Sequence, residues 1–181
     1  MRRPAPTPRP IRPLVPLISW LAARYIAYHR QRLLRKSEPI PNRMLASMRA
    51  FFPASALADA RIVQARMPQP ILYPLVRLFG IKGILDVTSI GAITLVDVVA
   101  YPEDIDASTL FHELVHVVQY RVLGLREFAR LYVRGFLHGG GYDGIRLERQ
   151  AYQLGARFDR WPKRLFSVEE EVIRWHSAGK L

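Results

Sequence analysis

Two histidines, one glutamate and the spacing between them have the clearest chemical potential in this chain. They lie in Leu110-Phe111-His112-Glu113-Leu114-Val115-His116-Val117-Val118-Gln119, which contains the pattern His-Glu-x-x-His. On a helix, residues i and i+4 stack on one face. The imidazoles of His112 and His116 can therefore converge on one metal ion at about 2.0–2.1 Å each. Glu113, next to the first ligand, is placed to act on a metal-bound water as a catalytic base rather than to ligate. With five His and eight Glu in 181 residues, chance would give the pattern on the order of one time in a hundred.

The neighbouring residues support a buried site. Leu110, Phe111, Leu114, Val115, Val117, Val118 and Val122 surround the motif, and a helix apolar on every side is a buried one. Buried imidazoles and a buried carboxylate carry a desolvation penalty unless something satisfies them; a zinc ion, Zn2+, would satisfy both histidines. A helix whose His and Glu pair with other polar groups of the core is the alternative.

Catalytic zinc usually takes three protein ligands and leaves one position open. The chain has no cysteine, so the third ligand must be oxygen or another imidazole, and thiolate zinc fingers, iron–sulfur clusters and disulfides are excluded. The downstream candidates are Glu127, His138, Asp143, Glu148 and Asp159. Glu148 is preferred, because Ala151 and Gly155 share its helical face and let that helix approach the metal helix closely. A surface pair with a nearby arginine is its competing role. His138 is the second choice as ligand; alternatively it stabilises an oxyanion together with Tyr142 or Tyr132. Gln119 and Asp97 are candidates for groups that orient the ligands.

Several elements must position these residues. Ile93-Thr94-Leu95-Val96-Asp97-Val98-Val99, bounded by Gly91 and Pro102, reads as one strand. Asp106 and Ser108 both suit the cap of the metal helix, which Gly124 stops near Leu123. Leu125–Leu137 forms a second helix. The glycine-rich run Gly139-Gly140-Gly141-Tyr142-Asp143-Gly144 then breaks the chain, as a mobile lid or as a plain connection. Ile145–Phe158 makes a third helix, and Ser167-Val168-Glu169-Glu170 is a capping box that opens a fourth. Upstream, Asn42–Phe52 reads as a short helix capped by Asn42. Ala56–Ala65 is either helix or strand, and Ile71–Phe79 is a short helix ending at Gly80. The expected fold class is α+β: a mostly helical domain over residues 37–181, with a small β-sheet preceding the metal helix.

The formal charge of +12 is unevenly placed. Residues 1–50 carry 11 Lys and Arg against one acid, Glu38; the remaining residues carry 16 basic against 14 acidic groups. The nearly neutral body argues against nucleic acid as the partner. Residues 1–16 hold six prolines and four arginines and read as an extended, disordered tail. Residues 17–36 form an apolar-basic helix. It suits either a shallow anchor on an anionic membrane surface or a segment docked on the domain. It is too short and too charged to span a membrane and lacks a cleavage site for a signal peptide. A cytoplasmic protein is the expectation, either free or peripheral at the inner face of the membrane.

His112–His116 followed by the helical Glu-x-x-Ala of Glu148–Ala151 resembles the gluzincin type of zinc metallopeptidase. The finer pattern His-Glu-Leu-Val-His-Val-Val-Gln-Tyr after a β-rich segment is similar to small bacterial zincin-like domains of uncharacterised function. Some of these occur in proteins associated with contractile injection systems and toxins. The resemblance covers roughly residues 57–158, and 31 residues separate His116 from Glu148. It implies His112, His116 and Glu148 as metal ligands, Glu113 as the base, and a peptide or protein substrate. It also implies an antiparallel edge strand, near 92–100, lying above the site to hold that substrate extended. The expected activity is peptide-bond hydrolysis. The alternative is a catalytically inactive module of the same fold that binds a membrane or a protein partner.

Overall fold

The structure is a computed structural model that describes residues 13–66, 91–139, 141–161 and 163–181. Most of the Pro/Arg-rich tail and the helix expected at Ile71–Phe79 lie outside these residues. The fold is α+β and mostly helical, with a small mixed sheet. In chain order the elements are α1 (Val15–Leu34), β1 (Glu38–Pro39), α2 (Asn42–Leu45), α3 (Ala54–Asp59), β2 (Arg61–Gln64), β3 (Ile93–Leu95) and β4 (Val98–Tyr101). They are followed by α4 (Ala107–Gly139), a 3-10 turn (Tyr142–Gly144), α5 (Arg146–Arg160) and α6 (Val168–Ser177).

The sheet runs β1-β2-β4-β3. β2 and β4 are parallel, and β1 and β3 flank them antiparallel. The single strand expected over Ile93–Val99 is instead a hairpin. Ile93 faces Ala100 and Leu95 faces Val98, leaving Val96 and Asp97 as a two-residue turn. Two-residue hairpin turns favour Asn-Gly or Asp-Gly, because their central residues take positive φ. Here a valine occupies that conformation (φ 65°), which is costly for a β-branched side chain. Tertiary contacts hold the turn: Arg30 grips the Asp97 carboxylate through Nε and Nη2 at 2.6 Å each, and the Asp97 carbonyl accepts from the Arg61 amide. Asp97 therefore orients no metal ligand; its partner is α1.

Helix α1 begins at Val15, with proline in its first turn, and so takes in residues assigned to the tail. Proline suits that position because the first amides of a helix have no partner to lose. Ser19, Ala23 and His29 are buried against the body, and Tyr25, Ile26 and Leu33 pack on the sheet cluster of Val63, Leu95, Val98 and Ala100.

The helix expected at Asn42–Phe52 is shorter. α2 ends at Leu45, and the chain continues as turns that direct Met48, Phe51 and Phe52 into the core. Asn42 is not its cap: Pro41 takes that place, and the Asn42 side chain accepts from Arg49. The ambiguous Ala56–Ala65 segment is both things in succession, the end of α3 and then β2.

Asp106 caps α4, accepting from the Thr109 amide at 2.7 Å. Ser108 does not cap it and pairs with Asp159. Gly124 (φ 75°, ψ 158°) breaks α4 into two helical halves where the sequence places the stop. Phe111 stacks on Phe158 of α5, with ring centroids 4.4 Å apart, and Phe51, Phe52 and Phe166 crowd around the pair. This aromatic cluster seats the metal-motif helix against α5. Ser167 caps α6 as expected, accepting from the Glu170 amide.

Candidate metal centre

The first half of α4 carries His112 and His116 one turn apart, and α5 brings Glu148 opposite them. His112 Nε2 lies 3.1 Å from His116 Nε2. Glu148 Oε2 lies 3.2 Å from the first of these atoms and 3.4 Å from the second. The three atoms form a nearly equilateral triangle. A tetrahedral ion held at about 2.0–2.1 Å sets its ligand atoms about 3.3–3.4 Å apart, so the triangle has the size such an ion requires. His112, His116 and Glu148 are the one group of potential metal ligands found among the described residues.

The groups behind the triangle fix its orientation. His116 Nδ1 lies 2.8 Å from Gln119 Oε1. The Gln119 amide nitrogen donates to the Leu147 carbonyl and to Gln150 Oε1, so its oxygen must face the imidazole. Nδ1 is therefore the protonated nitrogen, and the Nε2 lone pair of neutral His116 points into the triangle. Gln150 is fixed in turn by donating to the Glu171 carbonyl of α6. Tyr132 donates to Glu148 Oε1 at 3.0 Å and Tyr142 donates to Oε2 at 2.6 Å. Burial, reinforced by the nearby carboxylate, pushes both phenols upward, so both remain donors.

Burial opposes charge on both His116 and Glu148, and their mutual attraction overcomes it. The Glu148 carboxylate, aided by Glu113 and Gln119, lifts His116 to about 9. His116, with hydrogen bonds from His112 and Tyr142, holds the Glu148 carboxyl well below the usual carboxylate range. The triangle therefore favours a positive charge, which a metal ion would supply.

Glu113 is buried (6% exposed) and does not join the triangle. Thr94, in β3, lies with its hydroxyl 2.6 Å from Glu113 Oε2 and 3.0 Å from the Glu113 carbonyl. β3 is thus stitched directly to the residue beside the first histidine.

The remaining sequence candidates lie elsewhere. Glu127 pairs with Arg130 on its own helix, Asp143 is exposed, and Asp159 meets Ser108. The His138 Nε2 is buried without a hydrogen-bond partner, and His138 is not part of the triangle. The glycine-rich run is a tight connection. A Cβ on Gly139 or Gly144 would overlap the backbone of the other, and one on Gly135 would come within 2.9 Å of the Ile145 Cα. That close approach delivers Tyr142 to Glu148.

Sequence reasoning missed Thr94, Gln150 and Tyr152, whose ring lies 4.5 Å from that of His112. Gln150 had a readable signal: it is a polar residue on the stripe of Leu147, Ala151 and Leu154, which otherwise faces the core. Thr94 looked like an ordinary β-former. No protein-family model matches the sequence, no curated protein matches it, and no solved structure matches the fold.

Proposed function

We propose that this protein is a zinc-dependent metallopeptidase that hydrolyses peptide bonds. The observation that carries the reading is the triangle of His112 Nε2, His116 Nε2 and Glu148 Oε2, with edges of 3.1, 3.2 and 3.4 Å. Two imidazoles and one carboxylate form a donor set that favours zinc among the common divalent ions. Three protein ligands, rather than four, are the mark of a catalytic rather than a structural site.

When bound, zinc would polarise the scissile carbonyl and acidify the attacking water. Glu113 takes the proton of that water and hands it to the leaving amine. Thr94 is a positioning residue, holding one carboxylate oxygen of Glu113 so that the other is free to work. Tyr132 and Tyr142 keep Glu148 anionic and in place. Among the described residues β3 pairs on one side only, with β4. Its other edge offers backbone donors and acceptors to an extended peptide.

The test combines metal analysis with proteolysis. Purified wild-type protein should hold about one zinc per chain, as the three-ligand set requires, and should cleave unfolded protein substrates. Glu113→Gln should keep the metal and lose cleavage. His112→Ala should lose both. Zinc content near zero in wild type after reconstitution would sink the reading. Full metal with no cleavage of any substrate, by wild type and Glu113→Gln alike, would favour the inactive module.

A further inference from the structure

The outward face of α1 is used neither by the core nor by the metal centre. Leu17, Trp20, Arg24, Tyr28, Arg32 and Arg35 follow one another at steps of three or four, which is one stripe of a helix. All six are exposed, with Leu17 at 54%, Trp20 at 57% and Tyr28 at 63%. The stripe is apolar and aromatic at its start and cationic at its end. Arg24 lies over the Trp20 ring at 5.8 Å, joining the two halves. No acidic residue occurs before Glu38.

We propose that this stripe docks the protein on an anionic membrane surface, with α1 lying in the plane of the interface. Three features select a lipid surface. Trp and Tyr beside leucine suit the depth of the headgroups, where one side of a ring is apolar and the other wet. The cations match the charge of phosphatidylglycerol or phosphatidylserine headgroups. No helix among the described residues is long and apolar enough to cross a membrane, so the attachment is superficial. The inner side of α1 is held by buried Ser19, Ala23 and His29 and by the Arg30–Asp97 clamp. The stripe is therefore presented as a fixed ridge rather than formed on contact.

The experiment is co-sedimentation of the full chain with vesicles of phosphatidylcholine alone or mixed with phosphatidylglycerol, at low and high salt. The expected result is binding to the mixed vesicles only, weakened by salt. Two surface variants, Leu17→Ser/Trp20→Ser and Arg24→Glu/Arg32→Glu/Arg35→Glu, should each bind at least about tenfold more weakly, since both apolar insertion and charge are required. Unchanged circular dichroism and thermal midpoint would show that they fold. Failure to bind mixed vesicles at low salt overturns the proposal, as does equal binding to neutral vesicles. Undiminished binding by the Leu17→Ser/Trp20→Ser variant also overturns it. Combined with equal retention on a single-stranded oligonucleotide, that last result would make the segment a general polyanion binder.

Discussion

The Glu148 carboxylate has a tyrosine on each oxygen, and both phenols come from chain segments other than its own helix. Removing the Tyr142 hydroxyl with Tyr142→Phe should weaken zinc binding roughly 10–100-fold, the usual cost of losing a group that orients a ligand. Competition with a chelating dye measures it. Gln119→Leu should act similarly, because His116 Nδ1 would lose its acceptor. The charge state of His116 gives a second prediction. Its pKa is raised from the ordinary 6.5 to about 9, so in metal-free protein its pairing with Glu148 stabilises the fold fully below pH 6.5. That contribution is lost as the pH rises through about 9. The unfolding midpoint of metal-free protein should fall across that window. Zinc uptake at pH 7 should release about one proton, since the ligand must be neutral. Calorimetry in two buffers of different ionisation heat would read it.

At the scale of elements, the connection between α4 and α5 depends on glycines for space at Gly139 and Gly144 and for backbone freedom at Gly141 (φ 107°). Gly144→Ala should destabilise the protein by about 1–3 kcal/mol through overpacking and weaken metal binding by displacing Tyr142. Chemical denaturation and metal titration together test this. The elements differ in how far they could be read from sequence. The metal motif, Gly124 and the Ser167 cap were legible because each carries its reason locally: a spacing, a positive φ, a cap. Glu148 was reached in part through Ala151, which is buried in the core on its face; Gly155, expected to permit close helix approach, has nothing within 4 Å of where a Cβ would stand. The hairpin was not. Ile93-Thr94-Leu95-Val96-Asp97-Val98-Val99 has no glycine or asparagine for its turn and places a valine at the positive φ, while Arg30, 67 positions from Asp97, grips that carboxylate. The stretch after Leu45 failed as a helix for a similar reason. Met48, Phe51 and Phe52 all had to turn inward, which the sequence does not announce. Thr94 became legible only once the hairpin set β3 against α4.

For the molecule as a whole, the site and the core share one helix. Phe111 precedes His112 and is fully buried against Phe158 and its aromatic neighbours. Phe111→Ala should cost about 3–5 kcal/mol, and the metal site should loosen with the helix that carries it. Thermal denaturation with and without zinc would separate the two effects. An ion held by His112 and His116 of α4 and Glu148 of α5 would tie together halves of the core. Zinc at about 1,000 times its dissociation constant should stabilise the fold by about 4 kcal/mol, and chelation should reverse this.

Arg30 secures the Val96-Asp97 turn, and the same hairpin carries Thr94 to Glu113. Trimming the chain back to Ser37 would thus do more than discharge its basic end. Asp97 would be left without its counterion, and the strained valine would be free to relax. The threonine hydroxyl would no longer be delivered in register. A shortened form that keeps its ion but cleaves nothing would then be reporting a slack hinge, not a missing ligand.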